Sequence, residues 1–274
     1  MALTALLAAG AVPAAAASQG TPEQAQSVPD DGTSDAPPAF GPRTALRDIR
    51  DYVTSPLRWD GTDWLLFGGA VALVAAAHPF DSRLRDHFTA GSRSALDGKD
   101  TSSTKDALPA LAVVGVTGAF AVLGNDSGGL SETWAMLEAG GLASGTGFVL
   151  KYVAGRERPN ATTDPNAWRQ GGASFPSLHA SASMAIGTVL AESGNDEYRW
   201  LRRILGYGMA AGTDYLRLKH NAHWLSDVVA GDALGAATGL FVVDRENGTT
   251  HAAGLGVGPN GAGGVLVSYT VPLH

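Results

Sequence analysis

Three clusters in this chain combine side-chain types that can act on a phosphate group. In KYVAGRERP, Lys151 and Arg158 lie seven residues apart, about two helical turns. Pro159 is expected to stop that helix, leaving Arg158 to reach into a cleft. Taken alone, the pair reads as a solvated basic helix end. The second cluster, ASFPSLHA, looks like a helix start, with Pro176 at the first helical position and Ser174 or Phe175 at the cap. The N–H groups of Ser177, Leu178 and His179 would then face outward as an anion site. The plain alternative is an ordinary Ser174 cap beside a partly exposed His179. In the third cluster, RLKHNAHWLSD, Asp227 follows His223 by four residues. On a helix its carboxylate can hold the imidazole Nδ1–H and leave Nε2 with a lone pair for attack. Surface electrostatics alone also produces such pairs.

A rival reading makes His220, His223 and Asp227 ligands of a divalent metal. Charge opposes it. If the clusters converge, Lys151, Arg158 and Arg217 surround one point, and three fixed cations repel a metal ion but stabilise a phosphate. The late Gly-rich stretch GVGPNGAGG lacks the Lys-Ser/Thr ending and following helix of a phosphate loop. The absence of cysteine excludes disulfides, thiolate zinc sites and cysteine nucleophiles. A net charge of -7 disfavours a nucleic-acid partner and adhesion to anionic lipid, although a local basic pocket can still hold one phosphate.

The elements that must position these groups are helical. Apolar stretches at 64–77, 107–124, 139–153, 180–191, 204–211 and 228–243 are separated by polar or Gly/Pro-containing breaks. They predict an all-α helical bundle of about six core helices over residues 44–247. Residues 1–18 read as a secretory signal lacking its positive start, with a plain Ala-rich tail as the alternative. Residues 19–43, rich in Pro, Ser, Asp, Gln and Gly, read as a disordered linker. Residues 248–274 are expected to form a β-hairpin extension, with Val265, Val267, Tyr269 and Val271 alternating. Only 107–124 and the stretch from Trp64 to Phe80 approach a membrane span. A mean hydropathy of +0.02 favours a compact soluble bundle. Its Ala and Gly content would let helices approach closely.

In order, K-x6-R-P at Lys151–Pro159, P-S-x-H at Pro176–His179 and R-x5-H-x3-D at Arg217–Asp227 resemble the motifs of the type 2 phosphatidic acid phosphatase superfamily. That superfamily includes membrane lipid phosphatases, bacterial class A acid phosphatases and vanadium-dependent haloperoxidases. The resemblance covers roughly Leu46 to Val243 and implies that His223 is the nucleophile, Asp227 its orienting partner and His179 the acid for the leaving oxygen. It also implies that Lys151, Arg158, Arg217, Ser177 and the backbone beside Ser177 and Leu178 hold the phosphate oxygens. Two positions depart from the family pattern: Leu178 stands where Gly is usual, and Leu216 where a small residue is usual. Leu178 is expected to narrow the approach to the phosphate or to touch a lipid tail.

The expected activity is metal-independent hydrolysis of phosphate monoesters, with lipid phosphates or isoprenoid diphosphates as attractive substrates. No cofactor is expected, though vanadate would fit where phosphate does. Vanadate-dependent halide oxidation is the alternative enzyme, and a phosphate- or lipid-binding module without turnover the non-enzymatic one. The paired His179 and His223 argue against simple binding, which has little use for an acid and a nucleophile. The expected location is exported, periplasmic or membrane-associated.

Overall fold

The computed structural model describes residues 46–90, 96, 104–194 and 198–247, and the backbone alone at 42–45, 103, 254–259 and 265–270. The expected signal at 1–18 and the linker up to residue 41 lie outside the described residues. The described chain forms α1 (Pro42–Thr54), α2 (Gly61–Ala77), α3 (Asp81–Thr89), α4 (Ser103–Leu123), α5 (Ser127–Ala154), α6 (Leu178–Glu192), α7 (Arg199–Lys219) and α8 (Leu225–Glu246). The long elements are α2 and α4 to α8, so the all-α expectation holds. The β-hairpin expected over 248–274 is not supported as a folded extension. Gly254–Pro259 and Val265–Thr270 run antiparallel, but the turn and all side chains there lie outside the described residues.

Local chemistry sets the helix ends. Asp60 accepts from the N–H groups of Thr62 and Asp63, while Asp63 accepts from that of Asp60, a reciprocal cap that starts α2. The Asp126 side chain caps α5.

The short helix α6 lies at the centre, packed by α5, α7 and α8. Small residues allow the approach. Gly231, Gly235 and Gly239 form one face of α8, and a Cβ at Gly235 would sit 2.3 Å from the Ser181 carbonyl oxygen on α6. On the other side Gly187 of α6 meets Gly206 of α7, and a Cβ on Gly187 would lie 2.5 Å from the Gly206 oxygen. Backbone cannot yield there as a side-chain tip can. Gly187→Ala is therefore expected to destabilise the bundle by about 1–3 kcal/mol, seen as a lowered Tm in detergent. An unchanged Tm would show that α6 and α7 can separate.

The core is made of small side chains, among them Ala139, Ala143, Ala185, Val189 and Val242. The bulky ones face outward: Leu66 is 63% exposed, Leu73 64%, Phe120 73% and Val153 73%. Three helical runs, Gly61–Thr89, Thr104–Leu123 and Leu225–Glu246, are long and apolar enough to cross a membrane. This surface departs from the expected soluble bundle, because contiguous exposed apolar area of this kind is rare on proteins surrounded by water. The near-zero mean hydropathy combines polar connecting segments with helices whose middles carry little charge.

Candidate active site

Lys151 lies in the last turn of α5, buried, and its Nζ donates to the carbonyls of Ala173 (2.7 Å) and Ser174 (3.0 Å). The helix ends at Ala154, five residues before Pro159, the expected stop. Gly155 ends it by adopting a left-handed φ of 55° and donating its N–H to the Lys151 carbonyl at 2.8 Å. Arg158 consequently sits in the loop rather than on a helical face shared with Lys151.

The start of α6 is also displaced from the expectation. Its cap is Ser177, whose Oγ accepts from the Ala180 N–H at 3.4 Å, rather than Ser174 or Phe175. Leu178 and His179 therefore occupy the first helical turn, where N–H groups have no intrahelical acceptor. Ser174, fully buried, instead donates through Oγ to Asp227 Oδ2 at 2.5 Å. The tip of Leu178 lies where a Cβ on Gly147 would come within 2.7 Å of it, so this side chain packs down onto α5. Its tip therefore lies in the interface between α6 and α5.

His223 is not on a helix. It precedes α8, which begins at Leu225 after Trp224, and Asp227 reaches back to accept the Trp224 N–H at 2.9 Å. The His223 Nδ1 to Asp227 Oδ2 distance is 3.7 Å, too long for a hydrogen bond, while both residues are almost wholly buried. Burial, followed by the charges of Lys151, Arg158, Arg217 and His179, holds the His223 imidazole well below the usual histidine range. Those four groups come from α5, the loop after it, α7 and α6, so the fold brings all three clusters to one point. A neutral imidazole keeps a lone pair that can attack, and the cations around it can hold an anion.

Arg217 is fully buried and donates to Asp106 Oδ2 of α4 at 2.7 Å. His220 turns its Nδ1 to the same carboxylate at 3.1 Å rather than toward His223 and Asp227. The ligand set of the rival metal reading is thus not assembled. Among the described residues no group of three or more His, Asp or Glu is placed to hold a metal ion.

Residues that the motifs do not name complete the site. Arg156 is fully buried and donates to Asp227 Oδ1 (2.6 Å), Ser226 Oγ (2.8 Å) and Asp81 Oδ2 (2.7 Å). Asp81, at the start of α3, also accepts the Ser226 N–H at 2.8 Å. A third cation between Lys151 and Arg158 was visible in the sequence. Asp81 and Asp106, each an isolated acid at the end of an apolar run, carry a weaker signal, since their partners lie far away in the chain.

Residues 132–248 match the PAP2 superfamily profile, a span that runs from within α5 past the end of α8. It contains every residue of the three clusters and excludes Asp81 and Asp106. A lipid A 1-phosphatase of Porphyromonas gingivalis is similar, 32% identical over 116 residues that make up 40% of this chain and 24% of that protein. The chain thus spans about a quarter of the length of the curated relative it matches. No solved structure matches.

Proposed function

We propose, from the match of residues 132–248 to the PAP2 superfamily, that the protein is a membrane-embedded, metal-independent phosphatase of lipid phosphates that works through a phosphohistidine. The observation that carries this reading is the buried His223 imidazole, held neutral among Lys151, Arg158, Arg217 and His179. In the proposed reaction His223 Nε2 attacks phosphorus in line with the ester oxygen. The P–O bond breaks as the P–N bond forms, and His179 gives its proton to the departing oxygen. His179 then takes a proton from water, whose oxygen displaces His223 and releases inorganic phosphate. Lys151, Arg158 and Arg217, with the first-turn N–H groups of α6, would neutralise the oxygens through both steps.

Lipid substrates are favoured by the outward-facing side chains of the apolar helices and by the cluster of Trp59, Trp64 and Phe67 where the first apolar run begins. Indole rings at the mouth of an apolar helix suit the membrane–water interface. The similarity to a lipid A 1-phosphatase points the same way. The test is release of inorganic phosphate from phosphatidate in mixed micelles and from a soluble aryl phosphate, each with and without EDTA. EDTA-resistant release that prefers the lipid is expected. Release that needs an added divalent metal would sink the mechanism, and halide oxidation with vanadate but no phosphate release would support the haloperoxidase alternative.

The depressed His223 pKa also predicts a pH profile. A lowered pKa keeps the nucleophile neutral as pH falls through the range in which an ordinary histidine protonates. The acidic limb of kcat/KM is therefore expected well below the usual histidine value rather than at it. A limb at about 6.5 would mean that His223 does not sit among these cations in the free enzyme.

A further inference from the structure

The motif residues account for phosphate binding and attack, but not for Arg156, which uses its whole guanidinium. Nε donates to the Pro165 carbonyl at 3.1 Å, one terminal nitrogen to Ser226 and Asp227, and the other to Asp81 and Pro165. Its plane is stacked near the rings of Trp168 and Trp224, with the guanidinium carbon 4.4 and 5.4 Å from their centroids. Two fully buried carboxylates, Asp81 and Asp227, thus share one fully buried cation. A lysine could not reproduce this planar fork.

Asp227 is consequently occupied on both oxygens, Oδ1 by Arg156 and Oδ2 by Ser174 and the Trp224 N–H. It stands 3.7 Å from His223 Nδ1 instead of closing a direct hydrogen bond. We propose that Arg156, itself held by Asp81, is a positioning residue that fixes Asp227 beside the nucleophile and tempers the negative charge that His223 experiences. This inference rests on His223 being the nucleophile, and extends that reading to residues outside the phosphate pocket. It makes the start of α3, which supplies Asp81, part of the catalytic apparatus.

The charged and titratable groups facing His223 are Lys151, Arg158, Arg217, His179 and Asp227. With those unchanged, the two partners of the buried bridge act with opposite sign. Arg156→Gln removes a positive charge beside Asp227, so the carboxylate acts on His223 more strongly and the imidazole should protonate at higher pH. Asp81→Asn removes a negative charge from the far side of Arg156, so the imidazole should protonate at lower pH. Loosened packing alone gives no such reversal.

The test follows imidazole NMR titrations in the detergent-solubilised full chain, with the His223 signal assigned by its loss in His223→Ala. The expected result is an upward shift in Arg156→Gln and a downward shift in Asp81→Asn, with KM for an aryl phosphate changed less than about threefold and kcat lowered at least tenfold in Arg156→Gln. If Arg156→Gln does not fold, the Asp81→Asn shift stands as the test. An unmoved titration, or shifts of the same sign, overturns the inference whether or not the protein turns over substrate. Opposite shifts in a protein whose wild type releases no phosphate would leave this electrostatic link intact and refute the phosphatase reading instead.

Discussion

His223→Ala is expected to lower kcat/KM for any phosphate monoester by about a thousandfold or more, because it removes the atom that attacks phosphorus. A thousandfold loss corresponds to about 4 kcal/mol of transition-state stabilisation. Binding should suffer less, since Lys151, Arg158 and Arg217 remain to hold the oxygens. With a substrate labelled at phosphorus, rapid quench should trap an acid-labile, base-stable adduct on the wild type and none on the variant. His179→Ala should still form that adduct from an aryl phosphate, whose leaving oxygen needs little help, but discharge it slowly. Activity within tenfold of wild type in His223→Ala would remove the phosphohistidine from consideration.

Arg217→Ala is expected to have two separable effects. Loss of a phosphate cation should raise KM and lower kcat. Loss of the partner of a buried carboxylate should also destabilise the bundle by about 3–5 kcal/mol, because Asp106 would lose the guanidinium that pairs with it. Adding Asp106→Asn to Arg217→Ala removes the stranded charge and should recover most of the stability while leaving activity low. Thermal unfolding and phosphate release on the two single variants and the double variant measure this. Recovery of activity with stability would mean that Arg217 acts as scaffold alone, whereas no recovery of either would mean that Asp106 is not the group left uncompensated.

The helical bundle was legible in the sequence from its apolar stretches, and the three motifs stood out because each carries its own chemistry over a few positions. The structure gathers Lys151, Arg158, His179 and Arg217 around His223, while the roles of these residues and of Ser177 and Asp227 rest on the resemblance of the motifs. The local geometry was less legible. A proline five residues beyond a helix end looks like its stop, but Gly155 ends α5 first. Ser174 resembles a cap, yet its hydroxyl is drawn to Asp227, which is distant in sequence and becomes a neighbour only when α6 packs on α8. The four-residue spacing of His223 and Asp227 suggested one helical turn, whereas the structure reaches similar proximity from a loop and a helix cap. Arg156, Asp81 and Asp106 do their work through partners on other elements, which no local pattern reveals. The apolar run of α8 was hidden as a possible span because Asp227 and Asp232 interrupt its hydropathy, although Asp227 is neutralised by buried partners.

The close backbone contacts of α6 constrain how the pocket can work. A helix wedged against its neighbours at Gly187, Gly231, Gly235 and Gly239 cannot slide or roll without lifting away from them. His179, at one end of that wedge, and His223, at the mouth of α8, are therefore jaws of fixed gauge. On the proposed reading, the space between them would keep its width and would not open for a bulkier head. Selectivity among lipids would then fall to whatever hangs outside that space, and the time of each turnover would be spent bringing the tail in and out of the bilayer rather than reshaping the protein.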